Sequence, residues 1–149
     1  MSGVIDGPWV APEDDTASAA IAEIGAELDM FDEWMERYQY IIELGRKLPP
    51  FPSDWMNDAH RVPGCQSQVW LEAREQDGRL WFAGASDAAI VSGLVALLLR
   101  VYSGRPQSEI LETSPQFLRD LGLVQALSTN RGNGVEAMAA AIRARAAAA

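Results

Sequence analysis

A chain of 149 residues, 48% hydrophobic and 22% charged, is long enough to build one core without disulfide staples. Its 21 acidic residues against 12 lysines and arginines give a net charge of −9. That balance disfavours nucleic acid and anionic membrane surfaces, which are bound through lysine and arginine. The most apolar stretch, residues 88–99, is too short for a transmembrane span, which needs about 20 apolar residues.

Met1 to Thr16, with its prolines, glycines and acids, reads as a flexible leader, and residues 17–149 as a single domain. No basic region followed by an apolar run and a small-residue cleavage site is visible, so no secretory signal is expected. One cysteine suits a reducing compartment, and the expected location is the cytoplasm. Ala17 to Leu28 is alanine-rich with Ile21, Ile24 and Leu28 at helical spacing. A second helical pattern runs from about Asp32 to Leu48, with Trp34, Tyr38, Ile41, Ile42 and Gly45 on one stripe that suits core packing. Pro49-Pro50-Phe51-Pro52 ends it, because proline lacks an N–H and restricts its predecessor.

Ser53 to Arg61 is polar and reads as irregular. Gln68 to Glu75 and Leu80 to Ala85 read as a β-hairpin, joined at Gln76-Asp77-Gly78, with Val69, Leu71 and Ala73 on one face. A third strand around Val62 is too short to assign from its own pattern. Ser86-Asp87 predicts an N-cap for a central helix over Ala88 to Tyr102, which Ser103-Gly104 and Pro106 stop. Ser108 to Glu112 and Pro115 to Leu121 suggest short helices. Arg131-Gly132-Asn133-Gly134 predicts a break before a final helix from Val135, with Met138 and Ile142 facing inward. Helices against one small antiparallel sheet define an α+β domain.

Most catalytic constellations are missing. A zinc site needs about four ligands, and one cysteine with one histidine does not supply them. His60, five residues before Cys65, is close in sequence for a hydrolase base and reads as an exposed loop residue. No Walker-type phosphate loop or dinucleotide fingerprint is present. Cys65 itself reads two ways. Free cysteine is commonly a small buried hydrophobe. Yet Cys65 follows Pro63-Gly64, where the missing side chain of Gly64 lets a partner's sulfur approach, and Arg61 and His60 are nearby donors for a thiolate. A lone thiolate on such a loop suits sulfur transfer better than peptide hydrolysis, which also demands an oxyanion hole and a positioned base.

Five segments then share an order and spacing with a known family: Tyr38-Gln39-Tyr40-Ile41-Ile42-Glu43-Leu44-Gly45, Leu48-Pro49, Gly64-Cys65-Gln66-Ser67-Gln68-Val69-Trp70, the run from Ser86 to Leu94, and Gly134-Val135-Glu136-Ala137-Met138. On these residues, from about Phe31 to Arg145, the chain resembles the SufE family, sulfur-acceptor proteins of iron–sulfur cluster assembly. The resemblance implies an IscU-like fold with about three antiparallel strands packed on helices. It implies that Cys65 accepts persulfide sulfur from a SufS-type cysteine desulfurase, stimulates that enzyme, and passes the sulfur to a SufB or SufBCD-type scaffold. The acceptor would carry no cofactor and no metal of its own, pyridoxal phosphate belonging to the desulfurase, and would be a sulfur-transfer protein rather than a stand-alone enzyme. One cysteine separates the chain from the IscU scaffold, which holds iron with several. The resemblance also points to Asp87 at the head of the central helix and to Arg131 near a partner surface, each with a plainer alternative: an N-cap and a solvated charge. Gly64, Gln66, Ser67 and Gln68 complete the expected site, as contacts of the loop or as ordinary strand-entry residues. A rival reading is a regulator that activates a desulfurase allosterically without carrying sulfur.

Overall fold

The computed structural model describes residues 5–65, 67–124 and 129–149, the side chains of 129–133 excepted. In chain order the elements are α1 (Ala17–Asp29), α2 (Trp34–Arg46), two 3-10 turns (Ser53–Trp55 and Asp58–His60), β1 (Val69–Gln76), β2 (Arg79–Ser86), α3 (Ala89–Tyr102), α4 (Gln107–Glu112), α5 (Phe117–Asp120) and α6 (Thr129–Ala148). The Thr16 hydroxyl caps α1 by accepting from the Ala19 N–H at 3.0 Å.

The hairpin is antiparallel from the pair Val69–Ser86 to the pair Gln76–Arg79. Asp77 and Gly78, at φ 57° and 77°, occupy the left-handed region that a tight hairpin turn requires. Residues opposite one another share a face, so Val69, Leu71, Leu80 and Phe82 point one way and form the main core with α3. Trp81 and Ala83 point the other way. Ile5 and Trp9 cover them, with Phe51 and Trp55 packed alongside. Ile5, Trp9 and Ala11, within the Met1–Thr16 segment expected as a flexible leader, thus lie against the second face of the sheet. The cause is apolar burial and backbone pairing: Trp9 is only 7% exposed, and the Val10 N–H donates to the Phe82 carbonyl at 2.9 Å.

Among the described residues the sheet has two strands, where about three were expected. The outer edge of β1 takes one bridge, Arg61 to Trp70, with the Val62 N–H donating to the Val69 carbonyl at 2.8 Å. Pro63 and Gly64 follow at once, and Gly64 has φ 86°, so no strand can run on through them. The edge of β2 is closed by Gly104, which donates to the Leu80 carbonyl, and by the buried Ser103 hydroxyl. That hydroxyl accepts from the Phe82 N–H at 2.9 Å and donates to the Val10 carbonyl at 2.7 Å. The α+β class stands.

Two expectations about α6 and α3 change. Residues 131–134 do not break the chain, because α6 begins at Thr129 and runs through them. Each glycine inside a helix costs about 1 kcal/mol, which burial of Val135, Met138, Ala139, Ile142 and Ala146 offsets. At α3 the N-cap is Ala88, without a side-chain cap, and Asp87 is used elsewhere. The expected stripe of α2 does face the core, and at its C-terminal end Gly45 meets the backbone of Ser92 and Gly93. A Cβ on Gly93 would stand 2.1 Å from the Ile41 carbonyl oxygen, and one on Gly45 would stand 2.6 Å from the Gly93 nitrogen.

Gly93→Ala should therefore force α2 and α3 apart and lower stability by about 3 kcal/mol, read as a fall in the urea midpoint. A variant as stable as the native chain would show that the helices separate freely.

Candidate functional site

Cys65 lies in the connection between the second 3-10 turn and β1, and that connection is held at both ends. At its start, Val62 is buried and bonded to Val69. At its end, the backbone of Gln68 is gripped by the residues that precede α3. The Asp87 Oδ1 accepts from the Gln68 N–H at 3.0 Å, the Asp87 N–H donates to the Gln68 carbonyl at 3.3 Å, and the Ser86 hydroxyl donates to the same carbonyl at 2.8 Å. Asp87 is thus a clamp on the cysteine loop and not the helix cap that sequence reasoning favoured. The clamp fails to show in sequence because it joins positions nineteen residues apart.

Between these anchors Pro63 and Gly64 form a turn, with Gly64 in the left-handed conformation that proline-glycine pairs favour. Gly64 faces α6, where a Cβ on it would stand 3.5 Å from the Ala137 Cβ. Cys65 is half-buried and packs on the core cluster that includes Val62. Trp70 lies one residue beyond Val69 and so projects from the opposite face of β1. Cover comes instead from α6: the thiol donates to the Gly134 carbonyl at 3.6 Å. A Cβ on Gly134 would lie 3.8 Å from Sγ, so the helix backbone itself closes over the sulfur.

Burial pushes the Cys65 thiol above its ordinary range, and the Arg61 charge pulls it back only in part. The hydrogen bond to Gly134 works in the same direction as burial, because a carbonyl oxygen accepts from S–H and repels S⁻. The resting group is a neutral, sheltered thiol. Exposed Arg61 is the cation nearest to it in sequence.

Of the other expected site residues, Ser67 is half-buried and Gln68 is exposed, with its main chain rather than its side chain engaged. Gln66 and the side chain of Arg131 lie outside the described residues. His60 is not the free loop residue expected. Its Nδ1 meets Asn57 Oδ1 at 2.9 Å, its Nε2 meets Glu72 Oε2 at 2.7 Å, and its ring stacks on Trp55. Both ring nitrogens are engaged away from the thiol, which removes the hydrolase arrangement. Glu72 also takes Arg145 of α6 at 3.2 Å. Burial pushes the Glu72 carboxyl up, but bonds from the Ala73 N–H, His60 and Arg145 outweigh it and hold it below the usual range. Alternation placed Glu72 on the face opposite Leu71, but nothing local pointed to His60 or Arg145 as its partners. Among the described residues, no group of three or more His, Cys, Asp or Glu side chains is placed to hold a metal ion.

Residues 22–146 match the family SufE, described as an Fe-S metabolism associated domain. An uncharacterized SufE-like protein of Rhizobium meliloti is 39% identical over 132 residues, spanning 85% of this chain and 94% of the relative. One of Rhizobium etli is 39% identical over 130 residues, spanning 84% and 88%. The fold is similar to the solution structure of a hypothetical protein from Thermus thermophilus, with a TM-score of 0.71 at 23% identity, covering 86% of this chain and 93% of that one.

Two outcomes follow from the sheltered thiol. Because its pKa is raised in the folded chain, the unfolded state ionises first; stability should hold at neutral pH and decline as pH rises above the ordinary thiol range, and Cys65→Ser should remove that part of the decline. Asp87→Ala should loosen the loop and raise the rate of iodoacetamide labelling by about tenfold, with little change in the urea midpoint. Unchanged labelling would mean that Asp87 does not restrain the loop.

Proposed function

This chain belongs to the SufE family, and from that premise we propose that it takes persulfide sulfur from a SufS-type cysteine desulfurase onto Cys65 and delivers it to a SufBCD-type scaffold. The observation that carries the reading is the thiol of the chain's one cysteine, half-buried beneath the Gly134 carbonyl on a loop tethered at Val62 and Gln68.

Sulfur transfer of this kind is an exchange at sulfur. The Cys65 thiolate attacks the outer sulfur of the desulfurase persulfide. A new S–S bond forms on Cys65, the old one breaks, and its electron pair leaves with the desulfurase cysteine as thiolate. No net oxidation occurs, and the proton released from Cys65 balances the one that the desulfurase thiolate takes up. Handing the sulfur on repeats the exchange, with Cys65 as the leaving thiolate. Neither step asks the carrier for a metal or a cofactor; pyridoxal phosphate serves the desulfurase.

A carrier of this type has two demands that conflict. Its thiol must resist oxidants and small thiols when alone, and must ionise when the donor arrives. Shelter under α6 supports the first. The second requires only the few residues between Val62 and Gln68 to swing outward, since both anchors can stay in place. Gly64, with no side chain, then leaves the desulfurase room to approach. Such chemistry belongs in a reducing compartment, and the cytoplasm is the location that goes with it. In the described residues, no helix is long and apolar enough to cross a membrane.

Incubation with a cysteine desulfurase and free cysteine, followed by intact-mass spectrometry, should show a gain of one sulfur on the native chain and none on Cys65→Ser. No gain on the native chain would overturn the proposal. Cys65→Ser should also lose stimulation of the desulfurase while still binding it. Retained stimulation would favour the regulator that acts without carrying sulfur.

A further inference from the structure

A crevice of about 230 Å³ opens between the N-terminal segment and the C-terminal end of α2, and none of its lining residues belongs to the cysteine loop. Its floor is an ion network. Arg100 donates to Asp14 Oδ2 at 3.1 Å and to Glu27 Oε1 at 3.0 Å, and the Tyr40 hydroxyl donates to Glu27. Burial first, and the Glu27 hydrogen bond second, push Tyr40 up to about 12, so it remains a donor at neutral pH. These contacts engage the Nε and Nη1 donors of Arg100, whose side chain is mostly buried.

The lips differ from the floor. Glu13 stands on one and Lys47 on the other; both are exposed and, among the described residues, neither is in an ion pair. Their mounts are fixed. The segment bearing Glu13 is held at Val10 by Phe82 and Ser103 and at Asp14 by buried Arg105, which donates to its carbonyl at 2.7 Å. Lys47 caps α2, whose last turn is locked against α3 at Gly45. Between the lips the wall is apolar, built from Val10, Leu44, Leu48 and Leu97.

We propose that this crevice binds a free α-amino acid with an aliphatic or thioether side chain, the ammonium at Glu13, the carboxylate at Lys47, and the side chain against Leu44, Leu48 and Leu97. Charge selects that class. Glu13, Asp14 and Glu27 outnumber Arg100 and Lys47, so a simple anion meets net repulsion. A simple cation satisfies Glu13 but has nothing for Lys47. A zwitterion offers each lip a group of opposite charge, and its apolar remainder gains from leaving water. The site stands apart from the sulfur-transfer reading and does not depend on it.

The test is a backbone amide NMR titration of the whole chain with L-methionine and L-leucine, alongside N-acetyl-methionine and methionine amide. Saturable shifts are expected at residues 44–48 and 96–97. Each blocked form, and each of Glu13→Gln and Lys47→Met, should bind about tenfold more weakly, the loss of one charge-assisted contact. Cys65→Ser should bind as the native chain does. The proposal is overturned by the absence of saturable shifts up to about 10 mM. It is overturned equally by a blocked form or a lip variant that binds as tightly as the parent, or by loss of binding in Cys65→Ser.

Discussion

Much of the molecule depends on how closely α2 approaches α3. At Gly45 and Gly93 the two backbones meet without intervening side chains. That contact sets the depth of α3, and α3 in turn organises both ends of the domain. Its body packs on the hairpin, where a Cβ on Gly84 would stand 2.7 Å from Val95. Its C-terminal end holds the N-terminal segment through Arg100 and the following Ser103 and Arg105. Its N-terminal approach, Ser86-Asp87, grips the cysteine loop. A small shift of this one helix would be felt at both places, because packed interiors transmit displacement rather than absorb it.

The thiol's surroundings hold the sulfur neutral by ordinary means. The sulfur is neutral because it is half-buried and bonded to a main-chain carbonyl, and both effects vanish together if it moves away from Gly134. Its ionisation is thereby tied to position. Neighbouring charge plays a smaller part: Arg61 is exposed and lowers the thiol pKa less than burial raises it. His60, the other nearby donor, is committed to Glu72 and Asn57 and serves to fix the turn that leads into the loop.

The sequence revealed what depends on local pattern. Helical spacing placed α1 to α3, Asp77-Gly78 placed the hairpin turn, and the run from Gly64 to Trp70 pointed to the family. What it missed are pairings between distant residues. Nothing near Asp87 says that its carboxylate will meet Gln68, and nothing near Gly134 says that its carbonyl will lie over Cys65. The glycines of residues 131–134 read as a break because intrinsic propensity was weighed without the tertiary burial that sustains α6. The N-terminal segment misled for a related reason. Its prolines and acids resemble a tail, yet Ile5 and Trp9 find a hydrophobic sheet face that only the folded hairpin presents.

That last arrangement bears on how the chain folds. Ile5 and Trp9 leave the ribosome well before Trp81 and Phe82, on which their docking depends. Until the hairpin has formed, these residues have no surface to join, and closing so long a loop delays them further. During synthesis the early segment therefore carries unburied tryptophan and isoleucine while the rest of the chain is still being made, the interval in which a nascent protein is most exposed to association with its neighbours.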